Sequence, residues 1–388
     1  MRILHVASEY PPIQVFGLGR AVHDLAVAQA ALGDEVHVVT NSTGGADQET
    51  VMDGVHVHRV DSPPPPKPPD DVMAVIQFNT SALETASRTA DRAGVPDVVH
   101  VHDWLTALPG RALKWLYPQA RLACTMHDTA VGKHFGHLEP WQAYKAELES
   151  WIGKEADLVI CCSQHVRGEM MQHYGCPADK IKVIPCGVDE GRFKVEGDLE
   201  SFRTMFAAPE DRLALYIGRL DPEKGLDVLV NAMAQVVAIE PRAKLLLVGK
   251  GQLQPTIAEH VRGLNIGSRV HFAGYLTSNV LAAVLRLADV LVVPSLYEPF
   301  GIVALEGMIS HTPVIVSDTG GLSEIVSDGE SGLKVPPRDV PSLARGIVRM
   351  LNDEGLRRRI GQGGYARASG HYKWHGIAEQ TKVAYAGN

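Results

Sequence analysis

The sequence contains no Cys-x-x-Cys pair, and its five cysteines, Cys124, Cys161, Cys162, Cys176 and Cys186, are odd in number. Neither a disulfide framework nor a zinc knuckle is suggested, and a reducing cytoplasm is the expected setting. Lys and Arg number 37 against 45 Asp and Glu, a formal net charge of −8, and nowhere do the basic residues crowd into a patch. The electrostatic footprint of a nucleic-acid binder, or of a protein held on anionic lipid, is therefore missing. No apolar run reaches the length needed to cross a bilayer. The opening segment MRILHVASEY carries one basic residue, Arg2, and its apolar stretch stops at Glu9, unlike a secretory signal.

What is present is an ordinary globular composition, 45% apolar and 21% charged, in 388 residues. That is longer than one hydrophobic core usually supports, so two domains are expected. Short β-branched runs alternate with amphipathic stretches, the rhythm of a parallel α/β sheet. The first series is ILHVA (3–7), EVHVV (35–39), GVHVHRV (54–60), DVVHV (97–101), ARLAC (120–124), DLVI (157–160) and IKVI (181–184), with helical patterns over 20–32 and 71–93. The second is LALYI (213–217), KLLLV (244–248), RVHF (269–272), DVLVV (289–293), PVIV (313–316) and GLKV (332–335). The predicted domains are 1–185 and 186–372. A terminal helix over 373–388, with Trp374, Ile377, Ala378 and Val383 at helical spacing, is predicted to return to the first. SPPPPKPP (62–69) reads as a stiff polyproline surface loop, because proline fixes φ and lacks the amide donor.

Open α/β sheets bind ligands at the carboxyl ends of their strands, and several of those positions are chemically loaded. After LALYI comes GRLDPEKG, with Arg219 at the strand mouth and Lys224 near the next helix start. Two cations beside a helix N-terminus suit a diphosphate. After DVLVV comes PSLYEPFGIVALEGM, where Glu298 precedes Pro299 and Glu306 lies in the helix following Gly301. Either glutamate alone is an ordinary helix-end carboxylate. As a pair separated by seven residues after this strand, they suit the vicinal diols of ribose or a hexose, since a carboxylate accepts two hydrogen bonds. Amides at Phe300, Gly301, Ile302 and Val303 are placed to face phosphate or sugar oxygens.

These motifs resemble glycosyltransferase family 4. Its E-x7-E motif is matched by Glu298 to Glu306, and its G-R-x5-K motif is approximated by Gly218, Arg219 and Lys224. The likeness continues through VGKG (Gly249 to Gly251), TGGLSEIV (319–326) and IPCGVD (184–189), where Cys186 stands in place of the family's usual asparagine. EYPP (9–12), VHVHDWLTALPG (99–110) and HDTAVGKHFGHLE (127–139) are similar to the branch containing bacterial glycogen synthases. The resemblance implies two Rossmann-like doubly wound parallel-sheet α/β domains facing across a cleft, the B-type glycosyltransferase fold. The first would be on the acceptor side, and the second would bind the nucleotide-sugar donor.

It further implies a retaining hexosyltransferase, with a glucosyl group from ADP- or UDP-glucose passing to a sugar, glucan or small-molecule acceptor. His127 would be the active-site histidine at the donor hexose, near the reacting carbon. Arg219 and Lys224 would stabilise the departing diphosphate, Glu306 would hold the ribose, and Glu298 would orient the sugar hydroxyls. Gly17, Gly19, Gly249, Gly251 and Leu276 complete the expected donor contacts, the base lying against backbone near Gly274 to Leu276. No Asp-x-Asp manganese site occurs, so no metal or other cofactor is expected. Phe16 stands where relatives usually have glycine; two readings are open, that it packs against the first helix while Gly17 makes the phosphate contact, which is favoured, or that its ring blocks closure of the donor loop. Two other readings of the fold are a nucleotide-sugar epimerase and a non-catalytic nucleotide-sugar binder. A dinucleotide oxidoreductase would instead need G-x-G-x-x-G directly after the first strand, where this chain has none.

Overall fold

The computed structural model describes residues 1–13, 17–42, 48–60, 72–195 and 197–387. Phe16 and the SPPPPKPP stretch lie outside them. The chain forms two compact units, Met1–Gly187 with Trp374–Asn388, and Val188–Lys373. The divisions fall two residues and one residue beyond those read from the sequence.

In the first unit the aliphatic runs form strands β1 (Arg2–Val6), β2 (Glu35–Asn41), β3 (Gln48–Met52), β4 (Val55–Val60), β5 (Val98–His102), β6 (Arg121–Met126), β7 (Leu158–Cys161) and β8 (Ile181–Val183). They make one sheet in the order β3-β4-β2-β1-β5-β6-β7-β8. All neighbours are parallel except the β3–β4 hairpin, which the sequence reading did not anticipate. The order reverses between β1 and β5, which is the topological switch point. β5 and β7 are buried along their whole length, as strands covered by helices on both faces must be.

The helix Trp374–Tyr385 completes this unit's core. Its Ile377, Ala384 and Tyr385 pack with Ile3, Val98, Ala123, Leu158, Ile160 and Ile184. It is tied down by Lys382 Nζ to Asp34 Oδ1 at 2.7 Å and by Arg121 donating to the Tyr385 carbonyl at 3.1 Å. The five cysteines are buried and free.

The second unit holds β9 (Arg212–Ile217), β10 (Ala243–Val248), β11 (Val270–Gly274), β12 (Val290–Val293), β13 (Val314–Ser317) and β14 (Leu333–Val335). All are parallel, in the order β11-β10-β9-β12-β13-β14, with the switch point between β9 and β12. Its largest core cluster packs one face of the sheet against the helices Leu226–Ile239 and Val340–Asn352, through Leu229, Met233, Leu245, Leu247, Val290, Ile347 and Leu351. The apolar positions of helix 340–352 recur at helical spacing (Leu343, Ala344, Ile347, Met350, Leu351), so one face is buried and the other carries Arg345 and Arg349.

Candidate active site

At the second switch point the turn after β9 and the turn after β12 are built against one another. Leu296 N–H donates to the Glu223 carbonyl at 2.8 Å, docking the segment 295–298 on the short turn Pro222–Lys224. Gly225 follows in the left-handed region at φ 65° and opens the helix Leu226–Ile239. The loops after β9 and β10 also touch backbone to backbone. A Cβ on Gly249 would collide with the Gly218 carbonyl, and one on Gly251 with the Leu220 backbone. These glycines are thus needed for loop packing, whatever they do for a ligand.

This architecture brings together Lys224 and Glu298, 74 positions apart, with Lys224 Nζ 2.9 Å from Glu298 Oε2. Ser295 Oγ donates to the same oxygen at 3.0 Å. Arg219 pairs with Asp221 and, at 2.6 Å, with Glu223. The two cations foreseen as a bare diphosphate site are therefore each matched by carboxylates in the protein alone. Asp221 and Glu223 went unremarked in the sequence, although both sit inside GRLDPEKG. Gly301, at φ 110°, caps the helix Ile302–Ile309, so the amides of Ile302 and Val303 fall in its first turn, where no intrahelical acceptor exists. Glu306 is buried on that helix. The Phe300 ring packs edge-on to Tyr372 at 6.2 Å. Leu276 lies in the loop after β11, beyond Gly274.

In the first unit, His127 follows β6 directly and is fixed at three points. Its amide donates to Asp103 Oδ1 at 2.7 Å, its carbonyl accepts from Cys162 Sγ at 3.6 Å, and its ring Nε2 lies 3.2 Å from His102 Nδ1. Burial holds the imidazole down to about 4, against an opposing pull from Asp128, so the ring is neutral near pH 7. Asp103, after β5, has φ 57° and ψ −179°, a region other residues leave to glycine and one that costs about 1–3 kcal/mol. Burial, with Asp128 nearby, pushes its carboxyl well above the usual aspartate range. Glu149 accepts from the Ala130 amide at 3.0 Å, and burial pushes it up to about 8. Gly17 and Gly19 both lie in the helix Gly17–Ala31. A Cβ on Gly19 would come within 3.0 Å of the Glu9 side chain, so its absence lets that helix sit close to the segment after β1.

The Glycosyltransferase Family 4 profile matches residues 15–192, and the Glycosyl transferases group 1 profile matches residues 200–367. Glycogen synthase of Mycobacterium tuberculosis is 34% identical over 99% of this chain and 94% of its own length. The chain belongs to glycosyltransferase family 4. A glycosyltransferase of Methanocaldococcus jannaschii is 32% identical over 99% of this chain and 98% of its own. Among solved structures, sucrose-phosphate synthase from Thermosynechococcus elongatus superposes with a TM-score of 0.86 at 29% identity, covering 99% of this chain and 98% of that one.

The fold is accordingly that of the B-type glycosyltransferases, and the family assignment makes the chain a glycosyltransferase. The family motifs fall where the geometry is richest: Gly218, Arg219 and Lys224, which approximate G-R-x5-K, and the E-x7-E pair Glu298 and Glu306 flank the second switch point. Asp103 lies inside the VHVHDWLTALPG motif, beside His100 and His102, but its bond to His127 was not foreseen from the sequence, and neither were the contacts of Glu149 and Cys162. Among the described residues, one group of His, Cys, Asp or Glu is spaced for a metal ion: His5, His100 and His102, with ligand atoms within 4.8 Å of one another. No helix among the described residues is long and apolar enough to cross a membrane.

Proposed function

We propose that this family 4 enzyme is a retaining, metal-independent hexosyltransferase, moving a glucosyl group from ADP- or UDP-glucose to a hydroxyl of a sugar or glucan acceptor in the cytoplasm. The observation that carries the reading is the charge cluster at the β9/β12 switch point, where Lys224 and Arg219 stand within reach of a helix start and are held by Glu298, Asp221 and Glu223. A diphosphate arriving there displaces carboxylate partners and takes the cations, and its negative charge grows as the sugar–phosphate bond breaks. Cations aimed at developing charge lower that barrier. In this scheme the leaving phosphate oxygen accepts the proton of the attacking hydroxyl on the same face, so the anomeric configuration is kept. Glu306 holds the ribose, Glu298 orients the hexose hydroxyls, and His127 lies beside the hexose. The glucosyl choice is supported by relatives named for glycogen and sucrose phosphate, both of which contain glucosyl units.

Lys224→Ala tests the site. Losing one charge-assisted contact worth about 1.5–3 kcal/mol lowers kcat/KM roughly 10- to 150-fold, while the wild type keeps its rate after exhaustive EDTA treatment. A variant as fast as wild type overturns the phosphate assignment, and a collapse in EDTA that manganese restores overturns metal independence.

A further inference from the structure

His127 is one end of a hydrogen-bonded chain through the interior of the first unit. Its Nε2 meets His102 Nδ1 at 3.2 Å, and His102 Nε2 meets His5 Nδ1 at 3.0 Å. His5 Nε2 meets Gln29 Oε1 at 2.8 Å, and Gln29 Nε2 donates to the Tyr385 hydroxyl at 3.1 Å. Tyr385 meets His100 Nδ1 at 2.6 Å, and His100 Nε2 meets Thr125 Oγ1 at 2.7 Å. These residues come from β1, β5, β6, the helix 17–31 and the helix 374–385. His5, Gln29 and His100 are wholly buried, and His102 nearly so.

The proton positions follow from one group that has no choice. A carbonyl oxygen only accepts, so His5 Nε2 carries a hydrogen toward Gln29. Burial holds His5 down to about 4 and His102 well below the ordinary histidine value, so both are neutral and each ring has one N–H. His5 Nδ1 then accepts from His102 Nε2–H, and His102 Nδ1 in turn accepts from His127 Nε2–H. At the other end the Tyr385 hydroxyl, taking the Gln29 amide hydrogen on its oxygen, donates to His100 Nδ1, and His100 Nε2–H points to Thr125.

We infer that this chain, with Gln29 as its fixed point, positions His127 and holds it as the Nε2–H tautomer, leaving Nδ1 as an unprotonated acceptor. His127 thereby accepts a hydrogen bond from a sugar hydroxyl and has no ring proton on that side to give. His102, His5 and Gln29 are positioning residues, and the terminal helix reaches the site through Tyr385. The inference rests on the placement of His127 beside the hexose for its functional meaning, though not for the tautomer itself. The same bonding disfavours a metal among His5, His100 and His102, because the single lone pair of each ring is already taken by a neighbouring donor.

The experiment is a long-range proton–nitrogen spectrum of the full chain labelled with nitrogen-15 at histidine, without donor, with His127 assigned by the signal lost in His127→Asn. The expected wild-type pattern is Nε2 protonated at His127. Gln29→Glu keeps an acceptor facing His5 and retains that pattern, whereas Gln29→Met removes it, mixes the two tautomers and lowers kcat roughly three- to tenfold, the loss of about one hydrogen bond. Should Gln29→Met fail to fold, Tyr385→Phe deletes only the hydroxyl that holds the amide, and again a mixed His127 pattern is expected. A wild-type His127 protonated on Nδ1 would mean a reversed Gln29 amide and overturns the inference. So does an unchanged single tautomer in the variants, or a stoichiometric metal on the purified protein. Absent transfer activity with the expected spectrum sinks the proposed function alone.

Discussion

Glu298 has an obligation in the protein alone that a bound donor would change. Its carboxylate holds the Lys224 ammonium at 2.9 Å, the same ammonium assigned to the phosphate. Removing Glu298 therefore frees a cation, and removing Glu306, buried on the following helix, takes away the expected ribose contact. Calorimetry with free nucleoside diphosphate separates the two: Glu306→Ala weakens binding about 10-fold or more, the loss of a charge-assisted bond, whereas Glu298→Ala leaves it equal or tighter and lowers turnover. Equal weakening by both contradicts the division of roles. The motif residues were legible because their chemistry is local: a strand end, a turn and a helix start within a few positions. The carboxylates that neutralise Arg219 stand in the same eight residues, yet nothing in the sequence says which way they point.

Among the elements, the strand runs were legible because parallel strands buried on both faces read as nearly continuous aliphatic stretches. β3 escaped because QETVM is exposed along nearly all its length and lacks that signature. Its signal was the turn: Asp53 (φ 50°) and Gly54 (φ 82°) join Met52 to Val55, the Asp-Gly pairing that two-residue hairpins favour. The loops after β9 and β10 raise a different matter, since their glycines could serve packing or ligand. Gly249→Ala drives a methyl into the Gly218 carbonyl at φ 129°, next to Arg219. It is expected to lower both the thermal midpoint and the rate. Gly346→Ala is the contrast: it lies within the helix 340–352, and its Cβ would sit in ordinary contact, 3.5 Å from Ile315 Cδ1. It gains about 0.5–1 kcal/mol with the rate untouched. A Gly249→Ala protein as stable and active as wild type refutes the packing account of that loop.

At the scale of the whole molecule, the two units differ in how they bury histidine, a contrast the sequence hides because the rings involved are brought together only by folding. In the first unit burial lowers His5, His58 and His127 to about 4, His100 and His102 well below the ordinary value, and His37 in the same direction. In the second unit His311 is lowered, again chiefly by burial. A histidine whose folded value is depressed contributes stability that is fully present above its unfolded value near 6.5 and is lost as pH falls through the folded value. Glu149, raised to about 8, and Asp103, raised by burial, act in the opposite sense, but they are outnumbered by the histidines of the same unit. Between pH 6.5 and 4 the unfolded first unit therefore binds more protons than the folded one, and its stability falls with pH faster than that of the second. All five tryptophans, Trp104, Trp115, Trp141, Trp151 and Trp374, belong to the first unit, so their fluorescence reports on it alone, while calorimetry records both. Thermal scans of the full chain from pH 7.5 to 4.5 should show the fluorescence transition moving ahead of the remaining heat absorption as the solution is acidified. Two signals that stay coincident throughout, or a fluorescence transition that lags, would show that the buried histidines do not govern the acid stability of this unit.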